Sequence, residues 1–241
     1  MSLSQANAFS IDRKTHLVAF NLAKPHHIIG RFFINGLQVG ESILGIDFRP
    51  ATGQLYALGS TSRIYVLDIA NIVGNQVSAI LQGQLSVPIS GEKFGFDFNP
   101  TVDRIRIVSN NGQNLRVNPA NYVVIVDTPI AAPNRVVGST YTNSVTGATS
   151  TTLYDVTANN NKLVIQAPPN DGVITPVGSL GIKLKGGVGF DIQSLTNKAY
   201  LLSNDHLYDV DLRFGFVCKI GRVGCGLHLN GLATRLTPSP A

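Results

Sequence analysis

Three aspartates recur at the same position of a repeated motif, and their carboxylates are the side chains whose types and spacing best suit chemistry. The copies are Gly45-Ile46-Asp47-Phe48-Arg49-Pro50, Gly95-Phe96-Asp97-Phe98-Asn99-Pro100 and the shorter Gly189-Phe190-Asp191-Ile192. On equivalent strands around one axis, these aspartates would form a ring suited to a divalent cation such as calcium, or to a sugar hydroxyl. Alternatively, each aspartate accepts backbone hydrogen bonds, because a buried carboxylate is costly unless it is paired. Strict repetition favours this structural role.

The only two glutamates, Glu41 and Glu92, precede repeated aspartates by six and five residues, in loops that enter the motif strands. A glutamate some ångströms from an aspartate is the carboxylate pair that a glycosidase needs. The alternative is that both glutamates are solvated loop side chains. We predict ligand binding on the channel or loop face and assign no catalytic residue. The predicted ligand-binding residues are Glu41, Asp47, Glu92, Asp97 and Asp191.

Other signatures of catalysis or metal binding do not occur in the sequence. There is no Gly-x-Ser-x-Gly elbow, Walker loop or His-Glu-x-x-His helix. Cys218 and Cys225 are too few for a cysteine-built zinc site or a disulfide scaffold, and we expect two free thiols, with one bridge as the alternative. No metal site is assigned, because none of the histidines has metal-ligand spacing: His16, His26, His27, His206 and His228.

The aspartate motifs indicate the elements that must position them. Each motif is an apolar run followed by a turn and a second apolar run, which is typical of adjacent β-strands. Self-similarity with a period of about 20–50 residues is the mark of a repeat fold. Asp47 and Asp97 are 50 residues apart, and Asp97 and Asp191 are 94 apart, about twice 47. A unit of about 48 residues divides the 241-residue chain about five times.

The repeat predicts an all-β fold, a single-domain β-propeller of five four-stranded blades. The last opening strand, residues 229–234, has no partners after it, and the first segment has later strands but no opening one. Joined, the termini share a blade and leave no free sheet edge. The predicted units are approximately residues 43–81, 94–126, 135–177, 188–220, and 227–236 with 1–34. Four or six blades stay possible, because residues 139–143 could be the first or the second strand of the third unit.

Composition and charge exclude several classes of protein. Hydrophobic residues make up 44% of the chain and charged residues 14%, which is a foldable composition. The net charge of +5 comes from scattered basic residues, so nucleic acid is an unlikely partner. Residues 1–7 lack the features of a signal peptide, and no stretch approaches the roughly 18 apolar residues of a membrane span. The sequence predicts a cytoplasmic protein by default, or an exported one if a leader has been removed.

Several motifs together resemble a known family. The repeated Gly-[Ile/Phe]-Asp-Phe-[Arg/Asn]-Pro is accompanied by Tyr141-Thr142-Asn143-Ser144, Thr152-Leu153-Tyr154-Asp155 and Pro168-Pro169-Asn170-Asp171-Gly172. From about residue 14 to 235, the chain resembles an uncharacterised family of small, mostly bacterial, propeller-like proteins of unknown function. The resemblance implies a propeller-type fold and transfers no activity, cofactor or catalytic residue. Relatives in this family often look exported.

Two main functional hypotheses follow from these patterns. The first is a non-catalytic binding or protein-interaction propeller, whose partner would be a small molecule, a glycan or a protein. The second is a hydrolase acting on carbohydrate or a lactone through the channel-face carboxylates, with or without a metal. A structural role within a larger assembly is a third option. Convergence of Glu41, Glu92 and the aspartates on one open pocket would favour the hydrolase.

Overall fold

The computed structural model describes residues 3–194 and 196–236, whose regular structure is all β apart from one 3-10 turn at Pro169–Asp171. The N-terminal strands are β1 (Ala8–Asp12), β2 (His16–Asn21) and β3 (Lys24–Asn35). The next strands are β4 (Ile43–Phe48), β5 (Leu55–Gly59), β6 (Arg63–Leu67), β7 (Gln76–Gln84), β8 (Phe94–Asn99), β9 (Arg104–Ser109), β10 (Asn114–Val117) and β11 (Val124–Val126). The last strands are β12 (Val136–Tyr141), β13 (Leu153–Thr157), β14 (Lys162–Gln166), β15 (Ile174–Ser179), β16 (Val188–Ile192), β17 (Ala199–Ser203), β18 (His206–Val210), β19 (Val217–Arg222) and β20 (Leu229–Thr234).

Consecutive strands pair into antiparallel sheets of four. The sheets β8–β11, β12–β15 and β16–β19 each keep the order of the chain. The C-terminal strand β20 pairs antiparallel with β1, from Ala8 opposite Thr234 to Asp12 opposite Leu229. This gives the order β20-β1-β2-β3, and a short parallel pairing of β3 with β7 joins that group to β4–β7. The prediction of an all-β fold is confirmed, and sheets of this kind fit a propeller.

Five strands pack side by side around a central axis, in the cyclic order β4, β8, β12, β16, β20. In the third group this innermost strand is β12, so residues 139–141 belong to the first strand of that group. The innermost strands are buried on both faces; β16 is buried throughout, whereas no residue of the outer strand β15 is buried. This is why the motif strands read as apolar runs without alternation.

Glycines let the innermost strands approach closely. They stand at equivalent positions, two residues before each motif aspartate or its counterpart: Gly45, Gly95, Gly138, Gly189 and Gly231. A Cβ on Gly95 would lie 2.6 Å from the backbone nitrogen of Ser139, and one on Gly189 would lie 2.4 Å from the carbonyl carbon of Gly231. The cavity that remains between the strands is only about 10 Å³.

The core lies between neighbouring sheets and is divided among them. Four apolar clusters each fill the space between two adjacent sheets, for example Phe9 and Phe32 against Phe48 and Tyr65. The interface between β8–β11 and β12–β15 differs, because its apolar cluster has only three buried members, Val108, Ile130 and Val136. Among the described residues, the structure contains no helix with the length and hydropathy to cross a membrane.

Candidate functional site

The three motif aspartates meet on the axis, as their spacing predicts. Asp47, Asp97 and Asp191 are buried near the carboxyl ends of β4, β8 and β16. Each offers one carboxylate oxygen, and these oxygens lie within 4.8 Å of one another. No basic side chain of the described residues forms an ion pair with any of the three.

Asp47 and Asp97 each accept a hydrogen bond from a backbone amide of the neighbouring innermost strand. Asp47 Oδ2 accepts a hydrogen bond from the Phe98 amide at 2.8 Å, and its Oδ1 accepts one from the Phe48 amide at 2.7 Å. Asp97 Oδ1 accepts one from the Tyr141 amide at 3.1 Å. Phe98 directly follows Asp97, which is the β8 equivalent of Asp47. Tyr141 directly follows Thr140, which is the β12 equivalent of Asp97. Asp47 therefore joins β4 to β8, and Asp97 joins β8 to β12.

The same bonds continue around the ring, with one exception. Asp191 Oδ2 accepts hydrogen bonds from the amide and the hydroxyl of Thr234 on β20, the latter at 2.8 Å. On β12 the aspartate position is taken by Thr140, whose Oγ1 accepts the Ile192 amide at 3.1 Å. On β20 the equivalent residue is Ala233, whose side chain has no hydrogen-bond acceptor. The Phe48 amide bonds to Asp47 of its own strand.

Burial makes these carboxyls weak acids. Desolvation raises the pKa of Asp47 and Asp97 well above the usual range, and the charges of the neighbouring aspartates raise both further. Desolvation raises the pKa of Asp191 to about 6, against the lowering effect of its bonds to Thr234 and Ile192. Calcium takes six to eight oxygen ligands, whereas the groups around this cluster are largely N–H donors directed at the carboxylates. The hydrogen bonds thus favour a structural cluster that retains protons over a cation site.

The two glutamates do not join the aspartates. Glu41 is buried beside the β5–β6 turn, where Oε1 accepts a hydrogen bond from Thr61 Oγ1 at 2.5 Å and Oε2 accepts one from the Tyr65 hydroxyl. Arg63 lies 3.6 Å from the same carboxylate. Glu92 is exposed at the edge of a surface depression. Glu41, Glu92 and the aspartates, all of which the structure describes, therefore do not converge on one open pocket.

The depression beside Glu92 has a volume of about 740 Å³. It surrounds the mouth of the axis where β4, β8, β16 and β20 begin, and Leu44, Phe94 and Leu229 form apolar parts of its lining. Asp47 and Asp97 lie three residues beyond Leu44 and Phe94, about 10 Å deeper at about 3.3 Å per strand residue. The depression and the aspartate cluster are therefore separate sites.

Three cations line this depression, and the sequence analysis did not single them out. Arg13 and Lys14 are the first two residues of the three-residue turn between β1 and β2, and both have a positive backbone φ, of 49° and 63°. Buried Asp12 anchors that turn, because its carboxylate accepts hydrogen bonds from the His228 amide at 2.8 Å and from Arg31 Nε at 2.9 Å. Arg13-Lys14 is the only adjacent basic pair in the sequence, and that was the available signal.

The third cation spans the mouth. Lys93 Nζ donates a hydrogen bond to the Gly186 carbonyl at 2.7 Å, so it connects the loop before β8 with the loop before β16. Arg13 and Lys14 are exposed and Lys93 is half-buried. With Glu92 as the one carboxylate among the lining residues, the depression carries a net positive charge.

The sequence matches the family described as "Domain of unknown function (DUF4394)" over residues 16–233. The chain belongs to this family. The resemblance inferred from the repeated motifs is therefore confirmed. A comparison with curated proteins found no match.

Solved structures with a similar fold have very different sequences. A structural genomics protein of unknown function from Bacteroides thetaiotaomicron is 13% identical with a TM-score of 0.58, over 96% of this chain and 65% of that chain. Raptor from Chaetomium thermophilum is 13% identical with a TM-score of 0.50, over 89% of this chain and 20% of that one. A chain of a nidogen/laminin complex is 12% identical with a TM-score of 0.50, over 95% and 98%. Identities this low show a shared fold alone for the DUF4394 chain.

Proposed function

We propose that this DUF4394 protein is a non-catalytic binding module that holds a small organic anion in the depression at the mouth of its axis. The observation that carries the proposal is the convergence of Arg13, Lys14 and Lys93 on one concave site of about 740 Å³. Sites of this size commonly enclose small-molecule ligands, with a few polar groups fixing their orientation.

The proposed scaffold is a five-bladed propeller in one domain, with units near residues 43–81, 94–126, 135–177, 188–220, and 227–236 with 1–34. Support comes from the cyclic packing of the five innermost strands. It comes also from the glycine contacts, which continue from Gly231 back to Ile46, 3.5 Å from a Cβ placed on that glycine. A closed ring holds the loops at its mouth in fixed positions, which favours binding because little ordering is needed.

The lining indicates the chemistry of the ligand. The cations suit a carboxylate or a phosphate, and Arg13 can form a bidentate pair with either. Leu44, Phe94 and Leu229 suit an apolar body beside the anionic group. The hydrolase hypothesis has less support, because Glu41 is engaged in its own sheet and Glu92 has no second carboxylate beside it in the lining.

Calorimetric titration with alkyl carboxylates and alkyl phosphates of increasing chain length, beside the matching neutral alcohols, tests the proposal. We expect saturable binding of the anions and none of the alcohols. Arg13→Gln and Lys14→Gln should each weaken binding about tenfold or more, since a hydrogen bond to a charged group contributes about 1.5–3 kcal/mol. Lys219→Gln on the exposed part of β19 is the matched control and should leave affinity unchanged. Equal binding of alcohols and anions, or equal loss in the control, would refute an anion site.

A further inference from the structure

One interface between neighbouring sheets is built from polar side chains where the other four are apolar. Arg106 on β9 is 2% exposed and lies between β8–β11 and β12–β15. Its NH1 donates to Asp127 Oδ2 at 2.7 Å and to Asn114 Oδ1 at 2.8 Å, and its NH2 donates to Asn170 Oδ1 at 2.8 Å. Arg116 on β10 pairs with the same Asp127. The polar side chains in this half of the interface therefore have hydrogen-bond partners.

The other half of the same interface holds more acceptor oxygens than donors. Both carboxylate oxygens of Asp155, the hydroxyl of Ser139 and Oε1 of Gln166 are buried and have no hydrogen-bond partner among the residues that the structure describes. Polar groups buried in this way usually find a partner, because each unsatisfied group costs about 1–3 kcal/mol. These buried oxygens therefore require a further hydrogen-bond donor.

The strand register brings the three side chains together. Ser139 on β12 is directly opposite Asp155 on β13, so the two side chains are neighbours on one face. Gln166 on β14 is opposite Leu153, two residues from Asp155, which places it diagonally on that face. The face points toward β8–β11, since a Cβ on Gly95 of β8 would meet Ser139 Oγ at 2.1 Å.

A hydrogen count identifies what is missing. With Asp155 ionised, the group holds three acceptor oxygens and one donor, the Ser139 hydroxyl. A proton on Asp155 lets the acid donate to Gln166 Oε1 while the Ser139 hydroxyl donates to the other Asp155 oxygen. All three side chains are then paired. Desolvation raises the pKa of Asp155 to about 7, against the lowering effects of the Ser139 hydroxyl and of the Arg106 charge.

We propose that Asp155 is a buried proton-binding site that stabilises this interface as a neutral acid and weakens it when it releases its proton to solvent. Across the interface, the charge that acts on Asp155 is that of Arg106 on β9, which shares Asp127 with Arg116 on β10. On the flanking strands β12 and β14, Tyr141 and Lys162 stand two residues from Ser139 and Val164, the register partners of Asp155. The folded protein binds this proton more tightly than the unfolded chain does. Its contribution to stability is therefore complete below the ordinary aspartate range and is lost as pH rises toward about 7.

Infrared spectroscopy of the intact protein between pH 5 and 9 tests the proposal through the carbonyl stretch of protonated carboxylic acids. We expect Asp155→Asn to remove one band that titrates near neutral pH in the wild type. The melting temperature of the wild type should fall by a few degrees more than that of Asp155→Asn between pH 6 and 8. Asp171→Asn, an exposed aspartate, is the matched control and should change neither result.

Two further variants keep the test informative if Asp155→Asn does not fold. Ser139→Ala removes the donor to the ionised form and should move the midpoint of the band to higher pH. Gln166→Met removes the acceptor of the acid proton and should move it to lower pH. Shifts in one common direction would overturn the proposal. An Asp155 that stays ionised from pH 5 to 9 would also overturn the proposal and would indicate an internal water as the missing donor. A melting temperature that changes when sodium is exchanged for potassium would overturn it as well and would indicate a bound cation.

Discussion

Asp97 is a hydrogen-bond acceptor in buried surroundings that disfavour its ionised form. One oxygen accepts the Tyr141 amide and so ties β8 to β12. Burial and the charges of Asp47 and Asp191 raise its pKa well above the usual range. The folded state therefore binds the Asp97 proton more tightly than the unfolded chain. This carboxyl stabilises the fold most below its ordinary pKa of about 4, and the contribution is lost as pH rises toward the raised value.

Asp97→Asn should therefore be tolerated at neutral pH. The amide oxygen can still accept the Tyr141 amide, and its NH₂ group can donate to the neighbouring carboxylates. We expect the variant to match or exceed the wild-type free energy of unfolding at pH 8, by about 1 kcal/mol, and to lose that advantage near pH 4. Denaturant titrations at both pH values measure this. A loss of several kcal/mol at pH 8, together with calcium-dependent stability of the wild type, would instead indicate a cation site.

The innermost strands depend on glycine because they meet along a narrow axis. Gly189 of β16 contacts the backbone of β20 with no space for a side chain. Gly221 lies in the outer strand β19, where the nearest atom to an added Cβ is Pro25 Cγ at 3.1 Å. Both are strand glycines without a left-handed φ, so they differ mainly in what surrounds them.

Gly189→Ala should destabilise the protein far more than Gly221→Ala. Overpacking a rigid backbone contact costs about 1–3 kcal/mol or more, whereas Pro25 and the outer strand can shift. Thermal unfolding followed by circular dichroism compares the two variants directly. Similar melting temperatures would show that β16 and β20 can move apart without loss of stability, against the close packing around the axis.

At the scale of the whole molecule, β20 joins the end of the chain to its beginning. Its Gly231 carbonyl accepts a hydrogen bond from Ser10 Oγ at 2.6 Å, and Asn230 Nδ2 donates to the Leu44 carbonyl at 2.6 Å. Thr234 supplies two hydrogen bonds to buried Asp191. One strand thus connects three neighbouring sheets, and its loss would expose the edge of β1.

A chain truncated after residue 226 should lose cooperative unfolding, and a synthetic peptide of residues 227–236 should restore it. The reason is that truncation removes the strand partner of β1 and leaves Asp191 without its Thr234 donors. Denaturant unfolding with and without the peptide measures the effect, and a chain ending at residue 236 is the control. An unchanged unfolding midpoint in the truncated chain would mean that β20 adds little to stability.

Local patterns in the sequence were sufficient for the strands and for the position of the aspartates. Alternation, turn residues and the Gly-x-Asp repeat are short-range properties, and β20 begins and ends at the predicted residues 229 and 234. Equal repeat positions imply equal distances from an axis, so the clustering of Asp47, Asp97 and Asp191 also followed from spacing. The resemblance to the family was inferred from the same motifs, and the family match over residues 16–233 confirms it.

Tertiary structure alone decided which groups meet. Glu41 resembles Glu92 in sequence spacing, yet Thr61 and Tyr65 hold it inside its own sheet. Lys93 is far from the Arg13-Lys14 pair in the chain, and the three cations come together only at the mouth of the axis. The polar interface of Arg106 and Asp155 likewise requires two sheets to face each other. Repetition specifies what each unit has in common, whereas these sites arise from residues that differ between units and become neighbours only when the sheets assemble.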